Sequence, residues 1–86
     1  MKRTIMAVLV GKRKETAVTV QKILTGWGCL IKTRLGIHDG IQKDCTNRGL
    51  IIMELTGTPT QIRTLKHKLS LVPDISVKVI ELSLKK

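Results

Sequence analysis

Leu50–Val72 reads LIIMELTGTPTQIRTLKHKLSLV, and the order of features in it decides the fold. LIIMEL is a short run of β-favouring residues ended by Thr56-Gly57, so it predicts a buried strand. Thr58 followed by Pro59 supplies a helix N-cap and a first-turn proline. Ile62, Leu65, Leu69 and Val72 then recur at helical spacing, so one face of the helix is apolar. Working outward, the amino-terminal half repeats the plan. Thr4–Val10 (TIMAVLV) is an apolar strand ending at Gly11, so LVG answers LTG. Ala17, Val20, Leu24 and Trp27 carry the same internal spacing as the later stripe, with Ile23 widening it and Gly26 and Gly28 closing the helix. Residues 29–37 (CLIKTRLGI) form a half-exposed strand, and Pro73-Asp74 turns the chain into a last strand over residues 75–84.

Two β-α-β units of this size give β-α-β-β-α-β, an α+β ferredoxin-like sandwich occupying residues 1–86 as one domain. Right-handed crossovers place both helices on one face of a four-stranded antiparallel sheet. The first and third strands are central in this order, and both are apolar on both sides. Either Met6, Val8 and Val10 or Ile5, Ala7 and Leu9 must therefore face away from the helices, as must one set in Leu50–Leu55. Ile80, Leu82 and Leu84 likewise alternate out of phase with Val77 and Val79. An apolar surface of that extent marks association, so the chain is expected to pair with itself through the sheet, as a homodimer or homotetramer.

Composition narrows the partners. Sixteen Lys and Arg against six Asp and Glu give a formal net charge of +10, which favours anionic partners. A hydrophobic fraction of 42% is enough for a folded core. One Trp with no Phe or Tyr cannot build the stacking platform that single-strand nucleic-acid binders use. The basic, apolar amino end lacks a small-residue cleavage site, because Lys12-Arg13-Lys14 stands where one would fall, and no run is long enough to cross a bilayer. The expectation is a cytoplasmic chain with Cys29 and Cys45 as thiols and no membrane partner.

The stretch RLGIHDGIQKDCTNRG, residues 34–49, gathers His38, Asp39, Asp44 and Cys45 around glycines. His38 and Cys45 are transition-metal ligand types, with the aspartates as further oxygen donors. Their spacing matches no standard zinc pattern, and two chains meeting at an axis would have to share the ligands. A solvated hairpin loop accounts for the same residues. Catalysis needs an orienting group and a pocket that the loop does not supply, so no enzyme is expected. Gly11 and the basic run after it open onto a helix N-terminus, which favours anions, although the run is not a phosphate-binding glycine loop.

RLGIH, the cysteine before NRGLIIMELTG, and the closing VPDISVKVIEL resemble the iron-only hydrogenase system regulator family. These are small stand-alone proteins similar to ACT domains and to the ligand-binding domain of nickel-responsive repressors. The resemblance implies a regulatory module whose small-molecule or metal effector sits between subunits. Carried onto this chain, the effector site involves Gly11, Lys12, Gly36, Ile37, His38 and Asp39. A metal would fall to His38 and Cys45, a transition metal being the one candidate cofactor. The repressors add a ribbon-helix-helix segment for which this chain has no residues, which argues against direct operator binding. A protein partner receiving the signal is also implied. The alternative reading is a basic nucleic-acid-binding, transcription-related protein, whose affinity would fall steeply with salt.

Overall fold

The computed structural model describes residues 1–11, 14–38 and 49–84, with Lys14 and His38 described through their backbone only. Strand β1 (Lys2–Val10) leads to helix α1 (Lys14–Gly26), a 3₁₀ turn (Gly28–Leu30) and strand β2 (Ile31–His38). Strand β3 (Gly49–Leu55), helix α2 (Pro59–Ser70) and strand β4 (Ile75–Ser83) complete the order. The sheet runs β2-β3-β1-β4, antiparallel throughout. This is the ferredoxin-like order, with the two most apolar strands at the centre.

Strand pleating sorts the side chains. Met6, Val8 and Val10 of β1 and Ile51, Met53 and Leu55 of β3 are buried with Val20 and Leu24 of α1 and Leu65 and Leu69 of α2. Val77 and Val79 lie opposite Val8 and Met6 and close the same core from β4. The helical stripes read from the sequence are therefore the core-facing stripes. Thr58 caps α2 as expected: its hydroxyl accepts from the Gln61 backbone N–H at 3.1 Å, while the Gln61 side chain accepts from the Thr58 N–H at 2.9 Å. Thr16, nearly buried on α1, donates its hydroxyl to the Pro73 carbonyl at 3.1 Å, tying α1 to the turn before β4.

Two local details differ from the sequence expectation. Cys29 and Leu30 belong to the 3₁₀ turn rather than to β2, because the Leu30 N–H closes back on the Trp27 carbonyl at 2.9 Å. Between Ile31 and Thr33 the register slips, so two β2 positions oppose one on β3. The slip turns Ile31 toward the helices, opposite Leu55, while Thr33, Leu35 and Ile37 stay on the other face.

That other face is the set Ile5, Ala7 and Leu9, with Leu50 and Ile52, Leu35 and Ile37, and Ile80 and Leu82. Leu9, Leu35, Ile37, Ile80 and Leu82 each keep roughly half their surface in solvent. The two-sided apolar sheet inferred from the sequence is thus present, and the uncovered side is the odd-numbered side of β1.

Candidate functional site

The helix-facing positions of β2 after the bulge include Arg34 and Gly36, opposite Met53 and Ile51. Neither is an apolar residue that α1 could bury. Helix α1 therefore packs on β1 and β3 and stands off from β2, leaving a groove of about 780 Å³ between helix and edge strand. Val10, Val20 and Ile51 floor it with apolar surface, and Ala17, Val18 and Thr25 line it from the helix. A Cβ built on Gly36 meets nothing within 4 Å, so the glycine holds the groove open at its centre. Arg34 crosses it, donating from Nη2 to the Gln21 Oε1 of α1 at 2.5 Å. Lys22 is the second cation along the lining, and no acidic residue accompanies them among the described lining residues. The arrangement suits a small molecule with an apolar body and an anionic group, held by charge-assisted hydrogen bonds.

The structure brings Gly36 and Ile37 together with this groove but takes Gly11 elsewhere. The Gly11 N–H donates to the Asp74 carbonyl at 2.9 Å, and the Asp74 carboxylate lies where a Gly11 side chain would be. Asp74 itself takes a left-handed backbone, φ 66°, a conformation that aspartate tolerates. Lys12, Asp39, Asp44 and Cys45 lie outside the described residues, and His38 is placed only as the end of β2, paired with Gly49. The metal pair His38 and Cys45 accordingly stays an expectation. Cys29 is a free, exposed thiol. No group of three metal-ligating side chains occurs among the described residues.

Sequence reasoning missed Gln21, Lys22 and the standing-off of α1. Gly36 inside an otherwise apolar strand was the visible trace, since a strand glycine often marks a close approach or an opening.

A second feature stands at the far end of the sheet. Arg3 donates from Nε and Nη2 to the two Glu54 oxygens, each at 2.5 Å. This fork holds the Glu54 carboxyl below its ordinary range; partial desolvation opposes the shift, and the charges of Arg3 and Lys32 add to it. Lys2 and Glu81 form a neighbouring ion pair at 2.6 Å.

No family model and no curated protein matches the chain. Solved structures do. An uncharacterised protein from Thermotoga maritima superposes with a TM-score of 0.81 at 24% identity, covering 96% of this chain and all of that one. A nitrogen regulatory PII-like protein from Thiomonas intermedia, in its apo form, gives 0.57 at 15% identity over 95% of this chain and 90% of its own. A dimeric ferredoxin-like protein from an uncultured marine organism gives 0.52 at 12%, covering 94% and 92%. At these identities the likeness establishes the fold alone, an α+β ferredoxin-like sandwich. No helix among the described residues is long and apolar enough to cross a membrane.

Proposed function

We propose that this chain is a non-catalytic, ACT-like regulatory module that senses a small ligand as a homo-oligomer. The observation that carries the reading is the shared strand. On β2, Gly36 faces the groove while Leu35 and Ile37 face the exposed apolar side of the sheet. A ligand in the groove therefore acts on the same edge strand that a second copy would cover. Differential affinity for two subunit arrangements is what a sensor requires, and one strand serving both surfaces supplies the link.

Further support comes from the neighbours, at the level of analogy. The PII-like protein has been solved bound to ADP, AMP and acetate, and another neighbour is described as dimeric. The resemblance of RLGIH and VPDISVKVIEL assigns the regulated process to an iron-only hydrogenase system. His38 and Cys45 would be the ligands if the effector is a transition metal.

The test is thermal-shift and native mass spectrometry of the wild type and of Gly36→Phe. ADP, AMP, acetate, Ni²⁺ and Zn²⁺ serve as probes, on protein purified without chelators. A probe or co-purified molecule should stabilise the wild type, and Gly36→Phe should abolish the response while keeping its fold. If the protein carries nothing and no probe shifts it, the sensing reading fails.

The charge gives the nucleic-acid reading one specific observation. Arg63, Lys66 and Lys68 are exposed on α2 with no acid on that helix. That reading requires binding to duplex DNA or RNA that weakens steeply between low and physiological salt.

A further inference from the structure

Strand pairing fixes the exposed face as a grid. From β4 to β2, one row is Ile80, Ile5, Glu54 and Thr33; the next is Lys78, Ala7, Ile52 and Leu35; the last is Ser76, Leu9, Leu50 and Ile37. A further pair, Leu82 and Arg3, lies beyond Ile80 and Ile5 on the same face. Within the three full rows the polar residues occupy two opposite corners, Lys78 with Ser76 and Glu54 with Thr33. Between them an apolar band crosses the sheet diagonally, from Ile80 and Ile5 to Leu50 and Ile37. Strands lie about 4.8 Å apart and same-face residues about 6.8 Å apart along a strand, so relative positions follow directly.

We infer that this face pairs with a second copy of the chain about a two-fold axis lying along that diagonal. The inference rests on the reading that the chain self-associates through the sheet, and it specifies the register. Rotation about the diagonal puts Leu9 on Leu35 of the other copy, Ala7 on Ile52, Ile80 on Ile5 and Leu50 on Ile37. The same operation puts Lys78 on the corner of Glu54, and Ser76 on Thr33. Apolar meets apolar and polar meets polar at every position of the grid.

The other simple axes fail on the same grid. An axis parallel to the strands, between β1 and β3, sets Lys78 on Leu35, Ser76 on Ile37 and Ile5 on Glu54, burying polar groups without partners. An axis across the strands through the middle row brings Lys78 against itself, and one along the polar diagonal sets Lys78 on Leu50. A self-contact of like charge opposes an isologous interface. The favoured axis crosses the strands of the two copies at about 70°, closer to orthogonal than to aligned sheet packing. Twisted sheets crossed so steeply touch along one diagonal and splay at the remaining corners. The apolar residues lie on the touching diagonal, and long side chains, Lys78 and Glu54, stand at the splayed corners. Glu54 keeps acceptor positions beyond the fork of Arg3, because a carboxylate offers about four.

The experiment uses the full chain with Cys29→Ser and Cys45→Ser, then adds Leu9→Cys, Leu35→Cys or Leu50→Cys singly. These positions are exposed or half-buried, so each variant is checked for a wild-type circular dichroism spectrum before use. A short bismaleimide is added to each variant alone and to equimolar mixtures. The inference expects the mixture of Leu9→Cys with Leu35→Cys to crosslink at least several-fold faster than either alone, and faster than Leu9→Cys with Leu50→Cys. Fastest coupling in the Leu9→Cys and Leu50→Cys mixture, or self-coupling of Leu9→Cys alone, overturns the register. If sedimentation still shows dimers in that case, self-association survives and only the register is lost. A chain that sediments as a monomer removes both.

Discussion

Gly11 and Gly36 show how one residue type serves opposite ends. At Gly11 the Asp74 carboxylate occupies the space of a side chain, so Gly11→Ala must displace it. The clashing atoms end an exposed side chain that can turn aside, so the cost should be about 1 kcal/mol or less, measurable as a slightly lower urea midpoint. At Gly36 a Cβ meets nothing, so Gly36→Ala should be neutral or raise stability by up to about 1 kcal/mol by removing a strand glycine. Bulk there fills the groove without unfolding the chain, which makes the position a clean probe of binding. Glu54 gives the pH dependence. Its folded-state carboxyl titrates below the ordinary range because Arg3 hydrogen-bonds the ionised form. The unfolded group binds protons first as pH falls, so the pair's contribution is present at neutral pH and is lost as pH drops through the folded value. The difference in melting temperature between wild type and Glu54→Gln should therefore be seen at pH 7 and close in strong acid. A difference that is constant with pH would refute the role of the ion pair.

The elements follow local signals closely where those signals are chemical. Thr58, Pro59 and Gln61 set the start of α2 through the capping box, so Thr58→Ala should cost about 1 kcal/mol in denaturant unfolding. The stripes Ala17, Val20, Leu24 and Ile62, Leu65, Leu69 identified both helices and their buried faces from spacing alone. The edge strand was less legible. Alternation in residues 29–37 groups Thr33, Leu35 and Ile37 on one face, as the pairing does, but a bulge at Lys32 is a property of pairing, not of composition, and it turned Ile31 inward. The groove was legible only as a strand glycine. Its walls depend on how far α1 stands from β2, which follows from what β2 fails to offer the helix: Arg34 and Gly36 in place of apolar side chains. Of the site residues expected from family resemblance, Gly36 and Ile37 border the groove, and Gly11 lies against Asp74.

For the whole molecule, the decisive feature is a sheet with apolar side chains on both faces and helices on only one. Leaving Leu9, Leu35, Ile37 and Ile80 in water forgoes burial that the proposed second copy would provide, at about 25 cal/mol for each Å² covered. The net charge of +10 opposes close approach at long range, so association should strengthen as salt screens it. Nucleic-acid binding through the same charge would weaken with salt, and the opposite slopes separate the two readings. The most direct measurement is sedimentation equilibrium of the wild type beside Ile52→Lys, which puts a charge at the centre of the exposed face. The account predicts dimers or larger for the wild type at micromolar concentration, and folded monomers for Ile52→Lys. A wild type that stays monomeric, or an Ile52→Lys variant that assembles as the wild type does, would contradict it.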